Sequence, residues 1–376
     1  MIHKMLYRSR QQYLEDIDML KKIFLLLIFI MLVNAACSPN AKSPVVTTQK
    51  VNTPLPLSPT LTRMPTLTLT EITPTPTDAY LRSLSGSITV MSGGDEKYNN
   101  GIGLLNLENG EIQNIFPDGG VASFTWSPDG KQIAFDGVVD GFSPSHIFML
   151  NVDNKNKKLK QLTQGNNQDE HDLDWSPDGT QIAYVYEYGI DRPPELALFR
   201  LSDSVSLQIT STKGAELDPS FSPDGKTLAY IYVEGYYEGP MMPPQLMLMD
   251  IKSRKSRQVP LNVPVAIQQV SWSPDGKTIA FVSKTGKDNC GDIYLVSLDD
   301  SSVTRLTELT NCAVQVVWSP DGKYLAFVGK DKKTLSNIAD SSWQIYVMDS
   351  DGQNIVQVTH EKDWIIRDID WVSPSQ

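Results

Sequence analysis

The chain has three cysteines and four histidines among 376 residues, too few for a disulfide-stapled scaffold or a Cys/His metal fold. Its apolar run Ile23 to Val33 has eleven residues, short of the roughly 20 that a bilayer-spanning helix needs. No Gly-x-Ser-x-Gly, His-Glu-x-x-His, phosphate-binding Gly loop or Cys-x-x-Cys occurs, so the local signatures of several hydrolase, nucleotide-binding and dithiol classes are missing. After residue 80 no segment carries a helical period. Basic charge is also short: 33 Lys and Arg face 44 Asp and Glu, and the balance stands near −13 after Ala36. Such a surface repels nucleic acid and anionic lipid, which are not expected as main partners.

What the chain does have is repetition. WSPDGKQIAF starts at Trp126, WSPDGTQIAY at Trp175, FSPDGKTLAY at Phe221, WSPDGKTIAF at Trp272 and WSPDGKYLAF at Trp318, with a damaged sixth copy, WVSPSQ, from Trp371. The aromatic leads are 49, 46, 51, 46 and 53 residues apart. In each unit Pro pre-sets φ at the second turn position, Asp suits the third and Gly accepts the left-handed conformation. The aromatic is a wedge between neighbouring units. Because a catalytic group is needed once, the recurring Asp129, Asp178, Asp224, Asp275 and Asp321 are read as structural.

A period of 40 to 50 residues with one hairpin per unit is the signature of a β-propeller with one four-stranded blade per repeat. Alternating third strands begin at His146, Glu195, Gln245, Asp292 and Gln344, and short fourth strands end in motifs such as KQLT and VQVT. Residues 86 to 116 supply three strands without a first strand, and RDIDW (367 to 371) supplies a first strand with nothing after it. Together they complete one blade. The expected fold is therefore an all-β, six-bladed propeller of four-stranded antiparallel blades, closed by pairing the C-terminal strand with the N-terminal ones.

The [WF]SPDG[KT]xxA[FY] repeats resemble the WD-repeat-like propeller units of the TolB family over residues 86 to 371. That resemblance implies an extracytoplasmic module that binds protein partners, the peptidoglycan-associated lipoprotein being the namesake case. A separate N-terminal α/β domain precedes the TolB propeller, and here a different segment holds that place. The repeats are also similar to the propeller of prolyl-oligopeptidase-like peptidases, without a hydrolase domain before Gln376.

That N-terminal segment reads as an address followed by a stalk. Lys21 and Lys22, the apolar run and Asn34-Ala35-Ala36-Cys37 form a signal peptide over residues 1–36, with Met19 as the better start. The end resembles the lipobox of bacterial lipoproteins, which makes Cys37 the lipidation candidate, although Asn34 departs from the pattern; the alternative is an ordinary secretory signal. Within 37–80, residues 38 to 77 hold 8 Pro and 11 Thr. This composition favours extended chain, reaching up to about 120 Å at about 3 Å per residue. The propeller is expected over 81–376.

Repetition marks scaffold, and variable loops on a rigid scaffold mark binding. The Ser-Pro-Asp-Gly turns share one face with the short three-four turns, so the site is expected on the opposite face. Two groups stand out there. Asp169, Glu170, His171, Asp172, Glu216, Asp218, Trp364, Arg367 and Asp368 begin innermost strands and are candidates for the mouth of the channel, where carboxylates with one histidine can hold a divalent cation or a cationic ligand. The bland alternative is a solvated funnel. Tyr236, Tyr237, Met241 and Met242 are the interface candidates, or fold over their own blade. Cys290 and Cys312 fall on this face, 22 residues apart; they are a disulfide candidate or two separate thiols.

The expectation is a monomeric, lipid-anchored extracytoplasmic scaffold that binds an envelope protein or a cell-wall glycan and meets the membrane through its anchor only, with no required cofactor. The alternative is a hydrolase or lyase that uses channel carboxylates.

Overall fold

The computed structural model describes residues 87–93, 101–107, 111–116, 121–138, 145–152, 159–164, 168–189, 192–236, 242–261, 266–284, 291–308, 311–331, 343–360 and 365–372. The signal segment, the stalk, Cys37, Tyr237, Met241, Cys290 and Trp364 lie outside them. All described residues belong to one compact unit, Glu71–Gln376.

Blade I joins both ends of this unit: β1 Ser87–Gly93, β2 Gly101–Asn106 and β3 Ile112–Phe116, with β24 Ile365–Val372 as the innermost strand. Blade II is β4 Val121–Trp126, β5 Gln132–Gly137, β6 His146–Asn151 and β7 Leu159–Gln161. Blade III is β8 Asp169–Trp175, β9 Gln181–Glu187, β10 Glu195–Arg200 and β11 Val205–Gln208. Blade IV is β12 Ala215–Phe221, β13 Thr227–Val233, β14 Gln245–Asp250 and β15 Ser256–Gln258. Blade V is β16 Ile267–Trp272, β17 Thr278–Lys284, β18 Gly291–Ser297 and β19 Val303–Arg305. Blade VI is β20 Asn311–Trp318, β21 Tyr324–Asp331, β22 Gln344–Asp349 and β23 Val356–Gln357.

All pairings are antiparallel, and blades V and VI merge into one sheet through a single bridge, Gly291 to Ala313. A Cβ at Gly291 would sit 2.7 Å from the Ala313 carbonyl oxygen, so only glycine permits that approach. Ring closure is direct: Ser87 to Met91 pair with Val372 to Asp368.

The apolar alternation of the strands fills six separate cores, and each lies between two blades rather than within one. An open row of six blades has five such seams, so the sixth, where Ile88, Val90 and Trp371 of blade I meet Ala326, Val328 and Val347 of blade VI, is the closure. Each aromatic lead packs into the seam toward the preceding blade. Trp126 also donates its indole N–H to Thr89 Oγ1 at 2.7 Å, Trp272 donates to the Ser220 carbonyl at 3.0 Å, and Trp371 stacks on Tyr324 with centroids 6.3 Å apart.

Each Ser-Pro-Asp-Gly turn is one local hydrogen-bond unit. The Gly N–H donates to the Ser carbonyl, as Gly276 does to Ser273 at 2.9 Å. Ser273 Oγ donates to Asp275 at 2.6 Å and accepts the Thr278 N–H at 3.0 Å, while the Lys277 N–H donates to Asp275 at 3.1 Å. The same bonds recur around Ser127, Ser176, Ser222 and Ser319. The turn glycines take φ of 66 to 73°. Proline adds a contact beyond its fixed φ: a Cβ on Gly225 would meet Pro177 of the previous blade at 3.3 Å. Neighbouring turns are therefore stacked round the face. The fourth-strand threonines have a matching task, since Thr163, Thr210, Thr307 and Thr359 each accept a third-strand N–H, at 2.8 to 2.9 Å.

Candidate functional site

Every innermost strand carries one extra residue relative to its neighbour, seen as a register shift in all six first pairings. An added residue inverts the in-out alternation of a strand beyond it. At this bulge the residue three before each aromatic lead turns into the centre. These six are Ser123, Asp172, Asp218, Gln269, Gln315 and Asp368, and all line a central cavity of 590 Å³ built from β4, β8, β12, β16, β20 and β24. Asp172 and Asp218 pay a backbone cost there, with φ of 52 and 51°; Asp is among the few non-glycine residues that tolerate this region.

Five of the six reach sideways to the next blade and accept the N–H of the residue two before its aromatic lead. Asp218 accepts from Val270 at 2.6 Å, Gln269 from Val316 at 2.7 Å, Gln315 from Ile369 at 3.0 Å, Asp368 from Phe124 at 3.1 Å and Ser123 from Leu173 at 3.4 Å. Gln315 also donates to Asp368. The interruption falls between blades III and IV, where the position facing Asp172 is Pro219, which has no N–H. Asp172 instead lies 3.3 Å from His171 Nδ1, whose ring is also 4.0 Å from Glu187. A second belt lies one step deeper: Thr125 accepts from the Trp175 N–H at 3.2 Å, Asp174 from Phe221 at 2.5 Å, and Asp370 from Trp126. Nearer the Ser-Pro-Asp-Gly turns, a 230 Å³ cavity is lined by the leads Trp175, Phe221, Trp272, Trp318 and Trp371 and four turn prolines.

Burial raises Asp174, Asp218, Asp368 and Asp370 in the channel. Desolvation lifts Asp174 and Asp368 to about 8 and Asp370 to about 6. Asp218 is driven well above the usual range by burial and then by Asp172. Asp136, beneath the bulge of β4 where it accepts the Ala122 and Ser123 N–H groups, rises to about 7 through burial. Burial opposes charge on His171, but the Asp172 hydrogen bond, with Asp136 and Glu187, outweighs it and raises the imidazole.

Of the sequence candidates, Asp172, Asp218 and Asp368 therefore meet in the channel, with His171 bonded to Asp172. Glu170 and Glu216 do not join them. Both are fully buried five positions before the aromatic lead, where the other blades place Val121, Ile267, Ala313 and Ile366. Glu170 accepts from Thr163, and Glu216 from Thr212 at 2.5 Å. They sit on the other side of the bulge from the channel residues, so a shared strand start does not mean a shared face. Asp169 accepts the Ser145 N–H at 2.9 Å. Arg367 lies in β24 between two described neighbours, and its side chain is outside the described set.

Tyr236 is half-buried, packs against the seam of blades IV and V and lines the cavity, whereas Met242 is 47% exposed. Cys312 is buried and disulfide-bonded; its candidate partner Cys290 lies outside the described residues. Among the described residues no three His, Cys, Asp or Glu groups converge on one metal position. Sequence reasoning missed Ser123, Gln269, Gln315, Asp174 and Asp370. Aligning the repeats on their aromatic leads would have placed the first three in register with Asp172.

The six seams and polar central channel define the chain as a closed six-bladed β-propeller. Residues 173–342 match the family profile described as the TolB beta propeller domain, and the chain carries a TolB-like β-propeller. Among solved structures, TolB from Acinetobacter baumannii aligns with a TM-score of 0.62 at 17% identity, covering 76% of this chain and 66% of that one. A TolB homologue from Agrobacterium tumefaciens, described as putative in its own structure report, aligns at 0.56 and 19%, covering 77% and 99%. A chain of a nidogen/laminin complex aligns at 0.55 and 10%, covering 77% and 99%. At these identities the likeness is one of fold. No curated protein matches the chain.

Proposed function

We propose that this chain is a lipid-anchored, extracytoplasmic scaffold whose face opposite the Ser-Pro-Asp-Gly turns binds an envelope protein or a cell-wall glycan. The observation carrying this reading is the channel itself: a rigid belt in which Asp172 is released from the next blade by Pro219, beside Tyr236 and with His171 at hand. A carboxylate, an imidazole and an aromatic at one rim suit a polar partner carrying a cationic or hydroxyl-rich group. A divalent cation entering with that partner would find Asp172, which the belt leaves free, as an oxygen donor. The TolB-like fold supports an envelope location.

A second reading, a hydrolase or lyase, draws on Asp174 and Asp368, whose values near 8 suit general acids near neutral pH.

Crosslinked capture from intact cells separates the readings. Wild type is compared with the rim variant Asp172→Asn/Tyr236→Ala and with Lys323→Gln on the turn face. A partner held by wild type and Lys323→Gln, and lost from the rim variant, supports the scaffold. Equal recovery with all three overturns the assignment to this rim.

A further inference from the structure

Among the described residues, unpaired basic charge is concentrated in the β14–β15 hairpin of blade IV. Lys252, Arg254, Lys255 and Arg257 occupy four of six successive positions and are all exposed. Among the described residues none of them forms an ion pair, whereas Arg200, Lys226, Arg305 and Lys323 are each paired. The tip is rigidly built. Asp250 accepts the Ser253 N–H at 2.7 Å and its hydroxyl at 2.6 Å, and the Arg254 N–H bonds the Asp250 carbonyl at 2.7 Å. The Ile251 N–H bonds the Lys226 carbonyl at 3.0 Å, which ties the tip to the neighbouring Ser-Pro-Asp-Gly turn. The tips of three other blades have no such excess: blade III offers Asp203 paired with Arg200, blade V Asp299 and Asp300, and blade VI Asp351. The corresponding segment of blade II, 153–158, carries Lys155, Lys157 and Lys158 and lies outside the described residues.

The direction of the chain adds a second, independent observation. β24 runs toward the Ser-Pro-Asp-Gly face, and Ser87 pairs with Val372 at that end. β1 therefore begins on the face that presents the basic hairpin, and the channel rim with Tyr236 faces the other way.

We infer that this hairpin docks on the anionic lipid headgroups of the leaflet that holds the chain, with the channel rim directed away from the membrane. The choice of a lipid surface rests on the reading of Cys37 as the anchor. The net charge of the whole chain does not forbid the contact, because exposed charges farther than about 8 Å from the surface are largely screened at physiological salt. Cations at the surface are not, and each contributes about fivefold to membrane partitioning.

The test separates the hairpin from the anchor by using the chain from Ser38 onward, which keeps the whole compact unit Glu71–Gln376. It is co-sedimented with phosphatidylethanolamine vesicles with and without phosphatidylglycerol. Partitioning to the anionic vesicles alone is expected, weakened about thirtyfold in Lys252→Gln/Lys255→Gln at an unchanged melting temperature. No partitioning to anionic vesicles, equal partitioning of the variant, or retention by polygalacturonate without retention by vesicles overturns the inference. Mass measurement of the processed full chain at Cys37 tests the anchor separately: an unmodified cysteine defeats that reading and leaves the vesicle result to decide the hairpin.

Discussion

Asp218 shows how one side chain serves the fold and sets its pH response. Its carboxylate closes a 2.6 Å bond to the Val270 N–H in a buried position beside other acids. Burial first, then Asp172, hold its carboxyl well above the ordinary value, so the folded chain retains a proton that the unfolded chain loses near pH 4. Where the folded state binds more protons, stability falls with rising pH. Asp218→Asn removes that liability, keeps an acceptor for Val270 and tolerates the left-handed backbone. A higher melting temperature than wild type is expected at pH 8, with the gain shrinking toward pH 5. A constant difference across the range would show that this carboxyl does not titrate with folding.

At the scale of the element, the Ser-Pro-Asp-Gly hairpin was readable because its bonds close within five residues. Ser273 donates to Asp275 and accepts from Thr278 while buried, so Ser273→Ala removes two bonds and leaves the half-buried Thr278 N–H without its acceptor. A loss of about 1 to 3 kcal/mol in urea denaturation is expected, with losses of similar size at Ser176 and Ser319, where the bonds repeat. A negligible loss would mean that Pro and Gly alone shape the turn. The innermost strands were less legible. Their bulge depends on pairing with the next strand, and it decides that Asp172 faces the channel while Glu170, two residues earlier, is fully buried.

At the scale of the whole molecule, stability rests on closure, because the apolar cores lie in the seams. Removing residues 365–376 takes Ile366, Ile369 and Trp371 from the seam between blades VI and I and leaves β1 as an open edge. Three large buried side chains at about 2 kcal/mol each amount to about 6 kcal/mol, a large share of the 5 to 15 kcal/mol that holds a typical domain. The truncated chain is expected to lose its cooperative thermal transition and to aggregate through the open edge. An unchanged transition would show that the seam between blades I and VI is dispensable.

The amino-acid order by itself determined the repeat, the turn chemistry, the blade count and the pairing of the two damaged ends. Those follow from contacts a few residues long and from a period that can be counted. Tertiary structure decided which polar side chains share the channel, because Asp218 and Val270 are 52 residues apart and meet only when blades IV and V pack side by side. It also decided that Pro219 frees Asp172, and that the basic hairpin lies on the face where β1 begins. Neither is a property of a local segment: each depends on which blade becomes the neighbour and on the direction in which β24 carries β1.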